Sequence, residues 1–186
     1  MKNSYPFNIT RACGHLEVVS LRYGSAREKN IELSAANAMF CKECRGLLES
    51  WMGPTNSIDE HAVVLASITG TPRQVSWAQA LRSKLAAPML RAMNSAAEHG
   101  GPVGAAAWKA LYVTVTQREA SFWIDNRERG INHYMIEREA GCFARGYDSL
   151  ALGSTIFTHI RKSGAHRLAE IEQRCPVSAE AHQVAS

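Results

Sequence analysis

The chain has 186 residues, of which 46% are hydrophobic and 20% are charged, as in an ordinary globular protein. This composition excludes a mainly disordered chain, and the length suits one domain or a small module joined to a larger one. The formal net charge of +4 is mildly basic, but the basic residues are scattered among acidic ones and form no stripe typical of a dedicated nucleic-acid binder.

The sequence indicates a cytoplasmic protein without membrane contact. No segment approaches the roughly 20 apolar residues of a membrane span. Residues 1–10 lack the charged start and apolar run of a signal peptide. The chain has five cysteines, an odd number, and two of them lie in a C-x-x-C motif, which favours reduced thiols and metal binding over disulfides.

The first fifty residues predict two strands and a helix. Residues 5–11 read as a short strand. The second strand is indicated by a rough alternation of apolar residues, namely Leu16, Val18, Leu21 and Tyr23. Ser25 and Glu28 have the spacing of a capping box, which predicts a helix over residues 26–39. A tight knuckle at residues 41–44 follows, and residues 45–51 continue as a helical turn or two.

Two closely spaced ligand pairs predict a metal site in this region. Cys13-Gly14-His15 and Cys41-Lys42-Glu43-Cys44 together supply four soft or borderline ligands, the number that zinc takes in a tetrahedral structural site. The ligand set Cys13, His15, Cys41 and Cys44 has no obvious fifth donor or base, so we expect structural zinc. The alternatives are a surface histidine with three small core cysteines, or a redox C-x-x-C, although the βαβ context of the latter is missing.

The remainder of the chain predicts helices. Gly53-Pro54-Thr55-Asn56-Ser57 reads as a linker. Thr71-Pro72-Arg73-Gln74 is a strong helix start, and the helix should run to about residue 97. Pro88 lies inside it and should kink it or end it early. Residues 103–115 are ambiguous, because their start is rich in alanine whereas residues 112–116 are β-branched and strand-like.

The rest of the chain predicts four further helical segments. Thr116-Gln117-Arg118-Glu119 reads as a second capping box, which predicts the start of another helix. Gly130 is expected to end that helix. Residues 132–140 predict a short helix. Residues 154–162 and 165–174 predict a helical hairpin, and the residues after Pro176 a frayed tail.

The expected fold is therefore α+β, with a small zinc-ribbon-like module of two strands and a helix followed by a mainly α-helical domain. We place the module at residues 1–52, a linker at 53–60, the helical domain at 61–176 and a flexible tail at 177–186.

No catalytic set emerges from the sequence. There is no H-E-x-x-H motif, Walker loop or G-x-G-x-x-G motif, and Glu137 and Glu139, two positions apart on a helix, would face different ways. The tryptophans in helical stretches predict core packing. Because tryptophan and arginine are favoured interface anchors, the alternative is a partner-binding surface. Its candidate residues are Trp77, Trp123, Arg127 and Arg129.

Three blocks of the chain carry a resemblance. Cys13-Gly14-His15 with Cys41-x-x-Cys44-Arg45 resembles an N-terminal zinc-ribbon-like module of small accessory proteins encoded by phages, plasmids and integrated elements. Residues 68–78 (ITGTPRQVSWA) and 120–127 (ASFWIDNR) are similar to two further blocks of those proteins. The resemblance covers roughly residues 10–130, and the segment after Gly130 has no counterpart in it.

The resemblance implies an accessory protein of a mobile genetic element, acting in the cytoplasm of a bacterial host. Such accessory proteins include anti-CRISPR proteins, which bind a host defence complex instead of catalysing a reaction. The expected function is therefore non-enzymatic inhibition of a host ribonucleoprotein, by binding CRISPR-Cas subunits or by blocking or disassembling their complex. The alternative is a zinc-ribbon regulator that binds nucleic acid.

Overall fold

The computed structural model describes residues 3–53, 65–128, 130–147 and 153–177. Within them the chain forms a two-stranded antiparallel sheet followed by eight helices, so the predicted α+β class is confirmed. The strands are β1 (Asn3–Thr10) and β2 (Leu16–Tyr23). The helices are α1 (Ala26–Ala38), α2 (Lys42–Met52), α3 (Pro72–His99), α4 (Gly101–Val115), α5 (Ala120–Asp125), α6 (His133–Arg145), α7 (Ile156–Ser163) and α8 (Ala165–Arg174).

The N-terminal hairpin pairs Asn3 with Tyr23 at its open end and Thr10 with Leu16 beside its loop. The odd-numbered side chains form the face that is covered by the protein, with Ile9 and Leu21 buried. The alternation therefore identified β2 correctly, but Leu16 and Val18 lie on the other face, where they are 71% and 66% exposed.

Helix α1 begins as its capping signal predicts. The Ser25 hydroxyl accepts a hydrogen bond from the Glu28 amide at 3.2 Å, and the Glu28 carboxylate accepts one from the Gly24 amide at 2.7 Å. These two bonds satisfy amides that the first turn of a helix leaves without partners. The helix then carries the chain back from β2 towards the cysteines at the start of α2.

Helix α3 has the predicted capping box, with the Thr71 hydroxyl and the Gln74 side chain each accepting a bond from the other's amide. Of the two effects expected of Pro88, the early end is wrong, because α3 continues to His99. A proline inside a helix costs about 3 kcal/mol. The buried residues on both sides of it, including Ala86, Met89 and Met93, supply the packing that offsets this cost.

Helix α4 lies at the centre of the helical part, and the ambiguity of residues 103–115 resolves entirely as helix. Its strand-like end is buried, and burial outweighs the weak local preference of β-branched residues. The second capping box is wrong. The Thr116 hydroxyl donates backwards to the Tyr112 carbonyl at 2.6 Å, so Thr116 ends α4, and α5 begins only at Ala120.

The C-terminal helices follow the prediction closely. The Asn132 side chain accepts a bond from the Met135 amide at 3.1 Å and starts α6, which extends to Arg145. Helices α7 and α8 form the predicted hairpin around Gly164, whose φ of +125° favours glycine.

One large buried cluster joins the N-terminal part of the protein to helices α2 to α6. It contains Cys13, Phe40 and Leu48 from the N-terminal part together with Leu111 and Ile136 from the helical part. The predicted module and helical domain thus share a core, and their bounds stay a prediction. The linker beyond Gly53 and the tail from residue 178 lie outside the described residues. None of the described helices combines the length and apolar composition that a membrane crossing requires.

Candidate metal centre

The loop that closes the hairpin presents the first ligand pair. The Arg11 amide donates to the His15 carbonyl at 2.9 Å, and the Gly14 amide donates to the Arg11 carbonyl at 2.9 Å. Gly14 has a φ of +83°, in the left-handed region that glycine adopts readily. This tight turn brings the side chains of Cys13 and His15 towards the same point.

The start of α2 presents the second pair. Cys41 is the N-cap residue of α2, and its Sγ accepts a bond from the Cys44 amide at 3.5 Å. The Cys41 amide in turn donates to the Sγ of Cys13 at 3.2 Å. Hydrogen bonds from backbone amides to sulfur stabilise a thiolate, and so does the positive end of a helix dipole. The thiolate is the form of cysteine that binds metals.

The four predicted ligands converge. The three sulfur atoms and a ring nitrogen of His15 all lie within 4.8 Å of one another. The Nδ1 of His15 is 3.4 Å from the Sγ of Cys41 and 3.3 Å from that of Cys44. The cysteines are buried and His15 is exposed, so the cluster lies at the surface with its sulfur atoms facing inwards. These residues could hold a metal ion.

The sulfur atoms of the cluster shift one another's pKa values. The hydrogen bond with the Cys44 thiol lowers the pKa of Cys13 to about 4, against the opposing effect of burial, and the Cys41 and His15 backbones contribute in the same direction. The hydrogen bond with Cys13, together with burial, raises the pKa of the Cys44 thiol. One thiolate is therefore favoured at neutral pH, and a bound cation would take the place of the shared protons.

An ion pair that the sequence analysis missed supports the hairpin loop. The Nε of Arg11 donates to the Glu17 carboxylate at 2.6 Å, while its Nη1 donates to the Ala36 carbonyl at 2.6 Å. The Glu17 carboxylate also accepts a bond from the Lys42 amide at 3.2 Å. Arg11 and Glu17 thus tie the first ligand pair to the end of α1 and the start of α2. Their positions, two residues before Cys13 and two after His15, are the signal that could have identified them.

A second missed residue, Glu137 of α6, anchors the other side of the centre. Its side chain is fully buried, and its carboxylate accepts bonds from the Phe40 amide at 3.0 Å and from the Nε of Arg45 at 3.0–3.1 Å. Burial raises the pKa of this carboxyl, although Arg45 and the Phe40 amide act in the opposite direction. Phe40 and Arg45 flank the Cys41–Cys44 knuckle, so Glu137 holds both of its ends.

Glu139, two residues further along α6, faces elsewhere, as the sequence predicted. Its carboxylate oxygens accept bonds from the Ile156 and Phe157 amides, each at 2.9 Å, and so cap the first turn of α7. The two buried glutamates therefore anchor different parts of the protein and do not form an acid pair.

The predicted partner-binding residues separate into two environments. Trp77 is 46% exposed, and the Arg127 guanidinium carbon lies 5.2 Å from the centroid of its ring. Trp123 is only 1% exposed, and its Nε1 donates to the Gln117 carbonyl. Trp123 therefore belongs to the core, and its inclusion in a partner-binding surface is wrong. Arg129 lies outside the described residues.

Searches for similar proteins give no guide to the activity. No protein-family model matches this chain, and no match to a curated protein or a solved structure was found.

Proposed function

We propose that Cys13, His15, Cys41 and Cys44 form a structural zinc site. Three sulfur donors and one imidazole match the ligands and the number that zinc takes in closed tetrahedral sites. The thiolates also disfavour hard cations such as magnesium and calcium, which prefer oxygen. The bound ion would lock the hairpin loop to the start of α2 and supply folding free energy to a region with a small core of its own.

Metal analysis of the protein, purified without chelator, tests the zinc site. The expected content is one zinc per chain, and it should fall in the Cys44→Ser variant. Cys175→Ser is the matched control, because Cys175 lies at the end of α8, away from the cluster. Cobalt substitution should give the intense visible absorption of a tetrahedral thiolate site. Less than half an equivalent of zinc in the wild-type protein would contradict the proposal, as would equal loss in the two variants.

The function that we propose is that of a non-enzymatic binding protein, and the observation that carries it is the exposed Trp77–Arg127 pair. Trp77 projects from the long helix α3, and Arg127 follows the end of α5. The Arg127 side chain is held in place by bonds to the Ile124 carbonyl and the Glu128 carboxylate. A large exposed aromatic ring with an ordered guanidinium beside it is typical of an interface anchor.

The resemblance to mobile-element proteins supports a host defence ribonucleoprotein as the target, in the manner of an anti-CRISPR. Two of the blocks that carry the resemblance, residues 68–78 and 120–127, pack against each other. The Ala120 amide donates a hydrogen bond to the Thr69 carbonyl at 2.9 Å. At the other end of the two blocks, Arg127 lies over the Trp77 ring. The proposed docking surface is thus where the two blocks meet.

An affinity pull-down from host cytoplasm, with and without nuclease, tests the binding function. We expect capture of CRISPR-Cas subunits, and expression of the chain should lower immunity against a targeted phage. Trp77→Ala should weaken capture by roughly thirtyfold or more, because a hot-spot residue contributes about 2 kcal/mol or more. Tyr134→Ala removes an equally exposed ring from α6 and should have no effect. Intact immunity with no captured subunit would refute this function.

A nucleic-acid-binding regulator is the second candidate, because an aromatic ring paired with arginine also provides a surface on which bases stack. It predicts nuclease-sensitive capture and an affinity that falls steeply with salt in a gel-shift series. Nuclease-resistant capture of protein subunits would exclude it as the main function.

A further inference from the structure

A second candidate site lies in a cleft between α5 and the α7–α8 hairpin. The cleft has a volume of about 760 Å³, and the end of α4 closes it from below. Small-molecule sites have volumes of roughly 300–1,000 Å³, so the cleft is large enough for a ligand of nucleotide size. None of the four metal-ligand candidates lines it, so it is separate from the proposed zinc site, and neither Trp77 nor Arg127 contributes to it.

The floor of the cleft is apolar. It is formed by Val113, Phe122, Ile156 and Ile160, which belong to the smaller buried cluster of the protein or pack against it. Phe122 is partly buried, and the Trp123 ring lies edge-on to it at a centroid distance of 5.3 Å. A fixed aromatic side chain of this kind can pack against a flat, weakly polar body such as a nucleobase.

One wall of the cleft is basic. Lys162 comes from the last turn of α7, His166 and Arg167 come from the first turn of α8, and Arg118 lies at the opposite side. Arg167 is paired with Glu170 at 2.8 Å. The structure gives the side chains of Lys162, His166 and Arg118 no hydrogen-bond or ion-pair partner among the described residues. These groups are therefore free to bind the oxygen atoms of a phosphate.

The α5 side of the cleft has the opposite character. Glu119 and Asp125 contribute two carboxylates, and Asn126 contributes an amide whose Nδ2 donates to the Phe122 carbonyl, so that its side-chain oxygen remains an acceptor. Carboxylates repel a simple anion but accept hydrogen bonds from N–H groups. The cleft thus favours a ligand with an N–H-bearing planar ring at one end and a phosphate at the other.

We propose that this cleft binds a nucleoside phosphate unit, either as a free mononucleotide or at the end of a single strand. The base would pack on the Phe122 floor with its N–H groups towards Asp125 and Asn126. The phosphate would lie between Lys162 and His166. One ligand of this kind would give hydrogen-bond partners both to the basic groups on one side of the cleft and to the acceptors on the other.

Calorimetric titration of the full chain tests the proposal, using the four nucleoside monophosphates, their nucleosides and a 5′-phosphorylated single-stranded oligonucleotide. We expect saturable binding of at least one monophosphate, and binding of its nucleoside weaker by about tenfold or more, since a charge-assisted hydrogen bond contributes about 1.5–3 kcal/mol. Lys162→Glu and His166→Ala should each weaken binding. Lys84→Glu, which makes the same charge change at an exposed position of α3 outside the cleft, should leave it unchanged.

The outcomes separate the two sources of the ligand. Binding of a free monophosphate that is lost in Lys162→Glu supports a mononucleotide site. Binding of the oligonucleotide alone, lost in the same variant, supports a strand end. No saturable binding of either, equal binding of nucleoside and monophosphate, or equal loss in Lys84→Glu would overturn the proposal. Unchanged circular dichroism of the variants would show that they remain folded.

Discussion

Replacement of Glu137 by glutamine tests how the candidate metal centre is attached to the helical part of the protein. Glutamine keeps the volume of the side chain but removes its charge, and it places an NH₂ group where one carboxylate oxygen accepts a bond. The Phe40 amide can still bond to the remaining oxygen. The Nε–H of Arg45, which now lies 3.0–3.1 Å from both carboxylate oxygens, would face a donor or a weaker acceptor.

The expected loss of stability follows from burial. Breaking a fully buried ion pair costs about 3–5 kcal/mol. The Arg45 side chain is 38% exposed, however, so water can solvate its guanidinium once the charge of Glu137 is gone. We therefore expect a loss nearer the value of one charge-assisted hydrogen bond, about 2 kcal/mol. For a chain of this size, that corresponds to a fall in Tm of roughly 4–8 °C.

Urea unfolding, followed by tryptophan fluorescence and circular dichroism, measures this loss. Glu98→Gln is the matched control, because Glu98 is exposed near the end of α3, and it should change the free energy of unfolding by less than about 0.5 kcal/mol. If Glu137→Gln unfolds at the same urea concentration as the wild type or the control, the buried carboxylate does not hold the two parts together.

The same variant has a second readout in metal affinity. Glu137 fixes the residues on either side of the Cys41–Cys44 knuckle, and loss of a group that orients metal ligands typically costs about 10–100-fold in affinity. Competition with a chromophoric chelator should therefore show weaker zinc binding in Glu137→Gln. A variant that loses stability but keeps the wild-type zinc affinity would refute the coupling between α6 and the knuckle.

The remaining predictions concern close packing, a helix cap and the metal. A methyl group at Gly141 would lie 2.0 Å from the Ala38 carbonyl oxygen, so Gly141→Ala should destabilise the protein by about 1–3 kcal/mol or more. Gly46 lies in open space on α2, so Gly46→Ala should instead stabilise the protein by about 0.5–1 kcal/mol. Chemical denaturation that reversed this order of stability would contradict the packing. Glu139→Ala removes the hydrogen-bond acceptor for two amides of α7, so it should speed hydrogen exchange in α7 but not in α3. Equal protection of α7 in the variant and in the wild type would argue against the cap. Removal of the metal by a chelator should lower the Tm, and re-addition of zinc should restore it; a Tm that ignores both would exclude a structural metal.

The parts of the fold that the sequence predicted correctly depend on signals within a few residues. The Thr71 capping box consists of hydrogen bonds between residues three positions apart. These residues therefore specify the start of α3 independently of what the helix packs against. The four candidate metal ligands were predicted correctly as a cluster for a related reason, since two short turns each bring a pair of side chains together. The sequence signal failed at Thr116, because α4 uses the same hydroxyl to end its own last turn.

Burial was harder to predict than secondary structure. The strand β2 was recognised from its apolar residues, yet the protein covers the face that includes Val19 and Leu21 and leaves Leu16 and Val18 exposed. This two-stranded hairpin has apolar residues on both of its faces. The position of α1 decides which of the two faces is covered. Trp123 illustrates the same point, because its sequence neighbourhood resembles that of the exposed Trp77 while its ring is enclosed by the core.

Contacts between distant residues had no local signal at all. The Glu137 carboxylate accepts bonds from the Phe40 amide and the Arg45 guanidinium across more than ninety residues, and Glu139 caps α7 from a different face of the same helix. Their spacing revealed only that the two side chains point in different directions. Because a buried carboxylate is costly without partners, each one fixes the element that it contacts. Helix α6 therefore holds the candidate metal ligands in place through Glu137 on one face and the start of α7 through Glu139 on another.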